Sequence, residues 1–88
     1  NKIVIKKYTN RKGKIHRITY PAYYERHGNS IKEQWYHNGK LHRFVAPASI
    51  EISDKYVKYI WYNFGIKYNE RKVKKIFDNS YNSPYFLR

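Results

Sequence analysis

The chain contains no cysteine, so no disulfide staples it and no thiolate is available to a metal, which argues against a secreted, cross-linked scaffold. Acids are scarce, six against nineteen Lys and Arg, too few and too scattered to supply the paired carboxylates of acid–base catalysis. Only four glycines are present and they do not cluster, so there is no glycine-rich loop to cradle a phosphate. No segment approaches the roughly 20 apolar residues of a membrane span, and no apolar run of signal-peptide type opens the chain. The expectation is therefore a non-catalytic protein with no cofactor, intracellular or particle-bound, and neither secreted nor transmembrane. The first residue is Asn1 rather than Met, which points to a processed or incomplete chain.

Positive charge and aromatic rings are abundant instead. The formal net charge is +13 over 88 residues, and aromatics reach 19%, with eleven Tyr and two Trp. A single domain of this length buries a fraction of its unfolded surface somewhat above the roughly 60% of a 60-residue domain. So many rings exceed what a modest core needs, and part of them should stand at the surface, where an amphipathic ring suits an interface. The charge is the profile of a chain that meets phosphates, anionic lipid or an acidic protein face. Lys, Asn, Ile and Tyr make up nearly half of the chain, as AT-rich coding DNA would give, but that bias does not account for the shortage of Asp and Glu.

An internal repeat organises these residues. Gly13-Lys14-Ile15-His16-Arg17 leads to Pro21-Ala22, and Gly39-Lys40-Leu41-His42-Arg43 leads to Pro47-Ala48, 26 residues later. Trp35-Tyr36 recurs as Trp61-Tyr62, and Gly39 recurs as Gly65. Laid over one another, residues 13–38 and 39–64 match at ten positions without a gap, which implies equal loop lengths. Repetition at a fixed period marks units too small to bury their own apolar faces, which therefore lean on their neighbours.

Alternation in Lys2–Tyr8 predicts a strand, followed by a turn at Asn10–Gly13 and a second strand over Lys14–Tyr20 that Pro21 interrupts. Tyr23–Arg26 resumes extended before His27–Ser30 reverses the chain. Asn38-Gly39 between Ile31–His37 and Lys40–Val45 is a type I′ hairpin signal. Ser49–Ile52 and Tyr56–Tyr62 read as further strands, with Asn63-Phe64-Gly65 repeating the turn. Val73, Ile76 and Phe77 at i, i+3 and i+4, with Asn69 as cap, predict a short helix over 69–79. An aromatic tail, 80–88, follows and is expected to cover an open sheet edge.

The unit Trp-Tyr-x-Asn-Gly-Lys-x-His-Arg followed by Pro-Ala, over residues 8–68, resembles the MORN-like repeat family in the variant met in large DNA viruses and some bacteria. The resemblance implies β-hairpins laid side by side into an elongated antiparallel sheet, with Trp35, Gly39, Trp61 and Gly65 building it. It also implies a scaffold for protein contacts, and together with the AT-type composition it suggests a virus particle. The chain departs from the pattern in the first unit, where Thr9-Asn10 stand at the Trp-Tyr positions. It departs again before Pro-Ala, where Tyr20 and Ala46 replace the usual glycine.

Gly13, His16, Trp35, Tyr36, Gly39, His42, Trp61, Tyr62 and Gly65 are thus expected to be repeat-structural. Each His should bond a neighbouring unit's backbone and each Arg should stack on a ring; the competing expectation is that His16-Arg17 and His42-Arg43 read phosphate oxygens. Arg11, Lys12, Lys14, Arg17, Arg43, Arg71, Lys72, Lys74 and Lys75 are the candidate anion- or partner-binding residues. The four His have neither a helical i, i+4 pairing nor a neighbouring Cys, so no metal site is expected. A protein partner in a larger assembly is the first expectation and nucleic acid the second, with Tyr8, Tyr20, Tyr23 and Tyr24 available to stack on bases. An anionic membrane ranks third.

Overall fold

The computed structural model describes residues 2–75 as eight strands. They are β1 (Ile3–Lys7), β2 (Tyr23–His27), β3 (Ser30–Gln34), β4 (Tyr36–His37), β5 (Lys40–Leu41), β6 (Ser49–Ile52), β7 (Tyr56–Asn63) and β8 (Ile66–Lys74). Six of them form one antiparallel meander in the order β1-β2-β3-β6-β7-β8, and β4 and β5 form a separate hairpin between β3 and β6. The molecule measures 48 × 32 × 17 Å, and among the described residues the sheet beside the meander is the β4–β5 hairpin of two-residue strands, too small to form a second layer. Its apolar face must be covered by its own loops.

The register sorts the side chains onto two faces. On the front, Val4, Arg26, Ile31, Ile52, Val57 and Val73 form one row, and Lys6, Tyr24, Glu33, Ile50, Tyr59 and Arg71 form the next. The core sits here: Trp35, Ile50 and Val57 are buried, with Ile52 and Tyr59 packed against them. One step further, the row runs Tyr8, Ala22, Trp35, Ala48, Trp61, and both alanines are fully buried. Small residues between large rings let each ring lie over its neighbour's backbone.

The back face is polar and ordered by charge. Glu25, Lys32, Glu51 and Lys58 stand opposite one another on β2, β3, β6 and β7, so charge alternates across these four strands, and only at β8 does a like charge, Lys72, face Lys58. Beside it, Tyr36 donates to Gln34 Oε1 at 3.3 Å and Gln34 donates to Ser49 Oγ at 3.2 Å, above the buried Ser49 and Ile60. Burial, and secondarily the neighbouring Tyr62, hold the Tyr36 phenol above its usual pKa.

Several expectations are corrected. Asn69–Lys74 is not helical: it belongs to β8 and pairs along β7, with Val73 opposite Val57 and Arg71 opposite Tyr59. A helix there would leave one side of the long, β-branched and aromatic β7 without backbone partners, and that ladder outweighs an apolar pattern of three residues. The rest of that expected helix, 76–79, and the tail, 80–88, lie outside the described residues. Lys14–Tyr20 is not a strand either; only Ile15 bridges back, to Thr9. Beyond it His16 N–H still returns to Tyr8 O at 3.0 Å, but Arg17 N–H bonds Tyr36 O, in the next hairpin, at 3.3 Å. Likewise β3 ends at Gln34, although Trp35 N–H still bonds Ala48 O at 2.8 Å in the same register, and β5 ends at Leu41.

The loops also differ in length. Asn38 and Gly39 close the second hairpin with φ of 48° and 85°, as a two-residue I′ turn requires. Phe64 and Gly65 do the same between β7 and β8, at 45° and 87°. In the first hairpin Asn10 N–H reaches Lys14 O at 2.9 Å, so Arg11, Lys12 and Gly13 form a three-residue loop with only Gly13 at positive φ. The extra residue moves Tyr8, not Thr9, into the place of Trp35: Tyr8 N–H bonds Ala22 O as Trp35 N–H bonds Ala48 O.

Val45, a β-branched residue at φ 56° and 80% exposed, pays backbone strain with no packing in return. Val45→Gly is expected to raise stability by about 0.5–1 kcal/mol in urea denaturation, whereas Thr19→Gly, at the equivalent position without positive φ, lowers it. Lys32→Glu places three acids in a row and is expected to cost about 1 kcal/mol at low ionic strength, shrinking as salt is added.

Candidate functional site: the hairpin tier

Three turns lie side by side at one end of the sheet, and their contacts repeat residue for residue. Gly39 N–H bonds Ile15 O at 2.8 Å, and Gly65 N–H bonds Leu41 O at 2.7 Å. Asn38 N–H donates to His16 Nδ1 at 3.0 Å, and Phe64 N–H donates to His42 Nδ1 at 3.1 Å. Both imidazoles are therefore acceptors at Nδ1 and keep their hydrogen on Nε2. The rings themselves continue the stack: His16 to His37 at 4.9 Å, His37 to His42 at 6.0 Å, and His42 face to face with Phe64 at 3.9 Å. In the first hairpin Asn10 Oδ1 accepts from Lys12 N and Lys14 N, while its Nδ2 donates to Asn38 Oδ1 at 2.7 Å.

The two arginines are placed alike. Arg17 lies 3.9 Å above the Tyr8 ring and donates to Pro21 O at 3.5 Å; Arg43 lies 3.8 Å above the Trp35 ring and donates to Pro47 O at 3.3 Å. Desolvation lowers the Arg43 pKa, with Glu33 acting against it, as expected of a guanidinium that roofs the core. The Trp35 indole N–H beneath it is buried without an acceptor among the described residues, a cost of about 1–3 kcal/mol that ring burial and the cation on its face must offset.

Repeated glycines shape the surface. A side chain at Gly39 would meet the Lys14 stem at 3.7 Å, and one at Gly65 would meet the Lys40 stem at 3.7 Å. Lys14 and Lys40 thus run along the stack in the same place, each laid on the next turn. Arg11 and Lys12 project from the exposed first turn. No acid occurs in residues 1–24 or 34–50, so this tier has no carboxylate of its own before Lys67 meets Glu70 at 2.8 Å.

Other candidate cations do not join it. Lys72 and Lys74 share the back face at the far end of β8, Lys72 standing 4.1 Å over the Tyr56 ring, while Arg71 points to the front. Lys75 donates to Ser53 O at 3.0 Å. Trp61 and Tyr62 are half-buried on opposite faces of β7. Asn10 and His37 also belong to the tier; in the sequence Asn10 is marked only as the first residue of a turn, and His37, at the end of β4, only by its place before Asn38-Gly39. Among the described residues no group of three or more His, Cys, Asp or Glu is placed to hold a metal ion, and no helix is long and apolar enough to cross a membrane.

His42→Ala removes an acceptor and a stacked ring at once and is expected to cost about 1–2 kcal/mol in urea denaturation; a change below a few tenths would show that the imidazole does not couple the hairpins. Compared with known proteins, the chain matches no family model, no curated protein and no solved structure.

Proposed function

We propose that this protein is a non-catalytic repeat module that binds a polyanionic or acidic surface through its hairpin tier, as a structural or adaptor component of a larger assembly such as a virus particle. The observation that supports the reading is the segregation of charge. Glu25 and Glu51 stand opposite lysines in the back-face row, and Glu70 lies 3.7 Å from Lys58 and 2.8 Å from Lys67. Arg11, Lys12, Lys14 and Lys40 face solvent with no carboxylate in their own segments. Their field is uncompensated over one end of the molecule, and such a surface draws in anions. The resemblance to MORN-like repeats, scaffolds for protein contacts, favours the adaptor role.

Nucleic acid is the second reading, favoured by the exposed rings of Tyr8 and Tyr20 beside Arg17. For nucleic acid, log K should fall linearly with log salt, by roughly 0.7 per neutralised phosphate on a single strand and 0.9 on a duplex, and heparin, whose charges are sulfates and carboxylates, should show a fall of the same sign. Replacing Lys12, Lys14 and Lys40 together by Ala is expected to flatten that slope by about 2, measured by anisotropy on labelled heparin and on DNA. Replacing Lys32 and Lys58, which belong to the balanced row, should leave it unchanged. Poly-glutamate serves as the probe for an acidic protein face. Absence of binding to all three probes at low salt overturns the proposal.

A further inference from the structure

The two repeat units close their front faces differently. In the second unit Trp35 lies under Arg43 and is 7% exposed, and Ile50, in the same buried cluster, is 8% exposed. At the corresponding place in the first unit, Tyr8, Tyr24, Arg17 and Tyr20 surround an open groove of about 440 Å³, with Lys6 and Arg26 among its lining. The arginine on a ring recurs, so the repeat itself requires it. Tyr20, Tyr24 and Arg26 do not recur, since Ala46, Ile50 and Ile52 stand at their positions. The fold is satisfied by small or aliphatic residues there, so the rings and the extra cation answer to something other than packing.

Tyr20 is 62% exposed. The Arg17 guanidinium, 5.2 Å from its ring centre and itself fixed on Tyr8, steadies the ring while leaving most of it in water. Lys6 stands 5.9 Å from the Tyr24 ring centre, and Arg26 donates to Gly28 O at 3.2 Å. The groove therefore combines aromatic surface with cations at its rim, the pairing that single-strand binders use: rings for bases, charge for phosphates. Glu33 also lines it. A carboxylate there can accept from the exocyclic amine of a base. A duplex, whose bases are already stacked, cannot offer a base to these rings.

We propose that this groove binds single-stranded nucleic acid, one base lying on Tyr20 and Tyr24 and the flanking phosphates on Lys6 and Arg26. The proposal rests on the polyanion reading of the hairpin tier and adds to it a preference for unpaired strands.

The test measures anisotropy of a short, labelled, mixed-sequence single strand, of the same sequence as duplex, and of labelled heparin, against the intact protein and its variants. Tyr20→Leu is expected to weaken single-strand binding about tenfold, with heparin affinity and salt slope unchanged. Tyr20→Phe should restore it, because the ring stacks without its hydroxyl. Tyr24→Leu should act in the same direction, with far-UV circular dichroism checking the fold of this half-buried site. Single-strand binding indifferent to Tyr20→Leu, or heparin affinity falling in step with it, overturns the groove and leaves the polyanion reading standing. Single strand and duplex bound equally well would do the same. If oligonucleotide, heparin and poly-glutamate all fail to bind, both fall.

Discussion

Each hairpin is tied to the one before it by two hydrogen bonds from its turn, one to a backbone carbonyl and one to a His Nδ1. The rest of the structure depends on this double tie. A single-layer sheet has no second layer to hold its apolar face dry, so the loops that follow each hairpin must do it, and they can do so only if the hairpins are fixed relative to one another. With the hairpins in place, Arg17 and Arg43 are delivered onto Tyr8 and Trp35, and the two proline carbonyls anchor them there. The repeated His-Arg pair is one device: the imidazole sets the spacing and the guanidinium makes the roof.

The same tie explains where the stack stops. In the third hairpin Tyr68 stands where the histidine would fall and Asn69 where the arginine would fall, and the chain there simply continues as β8, with a bulge opposite Trp61 and Tyr62. Nothing in this hairpin offers an imidazole acceptor to a further turn. The nine residues of β8 are exposed throughout, and Lys67, Arg71, Lys72 and Lys74 place charge along that edge, the usual protection of a strand from unwanted pairing.

Charge is arranged with the same economy. The sheet's acids sit largely where they alternate with lysines across the back, which keeps a highly basic chain from repelling itself within its own sheet. The tier is left without that compensation. Part of the net charge of +13 thus stands without nearby acids at the tier, where Arg11, Lys12, Lys14 and Lys40 are exposed.

What the sequence determined by itself was local and periodic. Asn38-Gly39 encodes its turn because both residues tolerate positive φ, and β-branched, alternating segments encode β1, β6 and β7 because they suit a pleated, half-buried surface. The match at period 26 made the hairpins equivalent, since residues that hold units together must recur with the units. Tertiary structure decided the rest. The longer first turn placed Tyr8 over the Trp35 position, a shift hidden by a gapless alignment because backbone register, not identity, defines equivalence. Asn69–Lys74 joined the sheet because β7 offered a ladder longer than its own sequence could disclose. The different closure of the two front faces came from what packs opposite each arginine, which depends on residues far apart in the chain meeting across four strands.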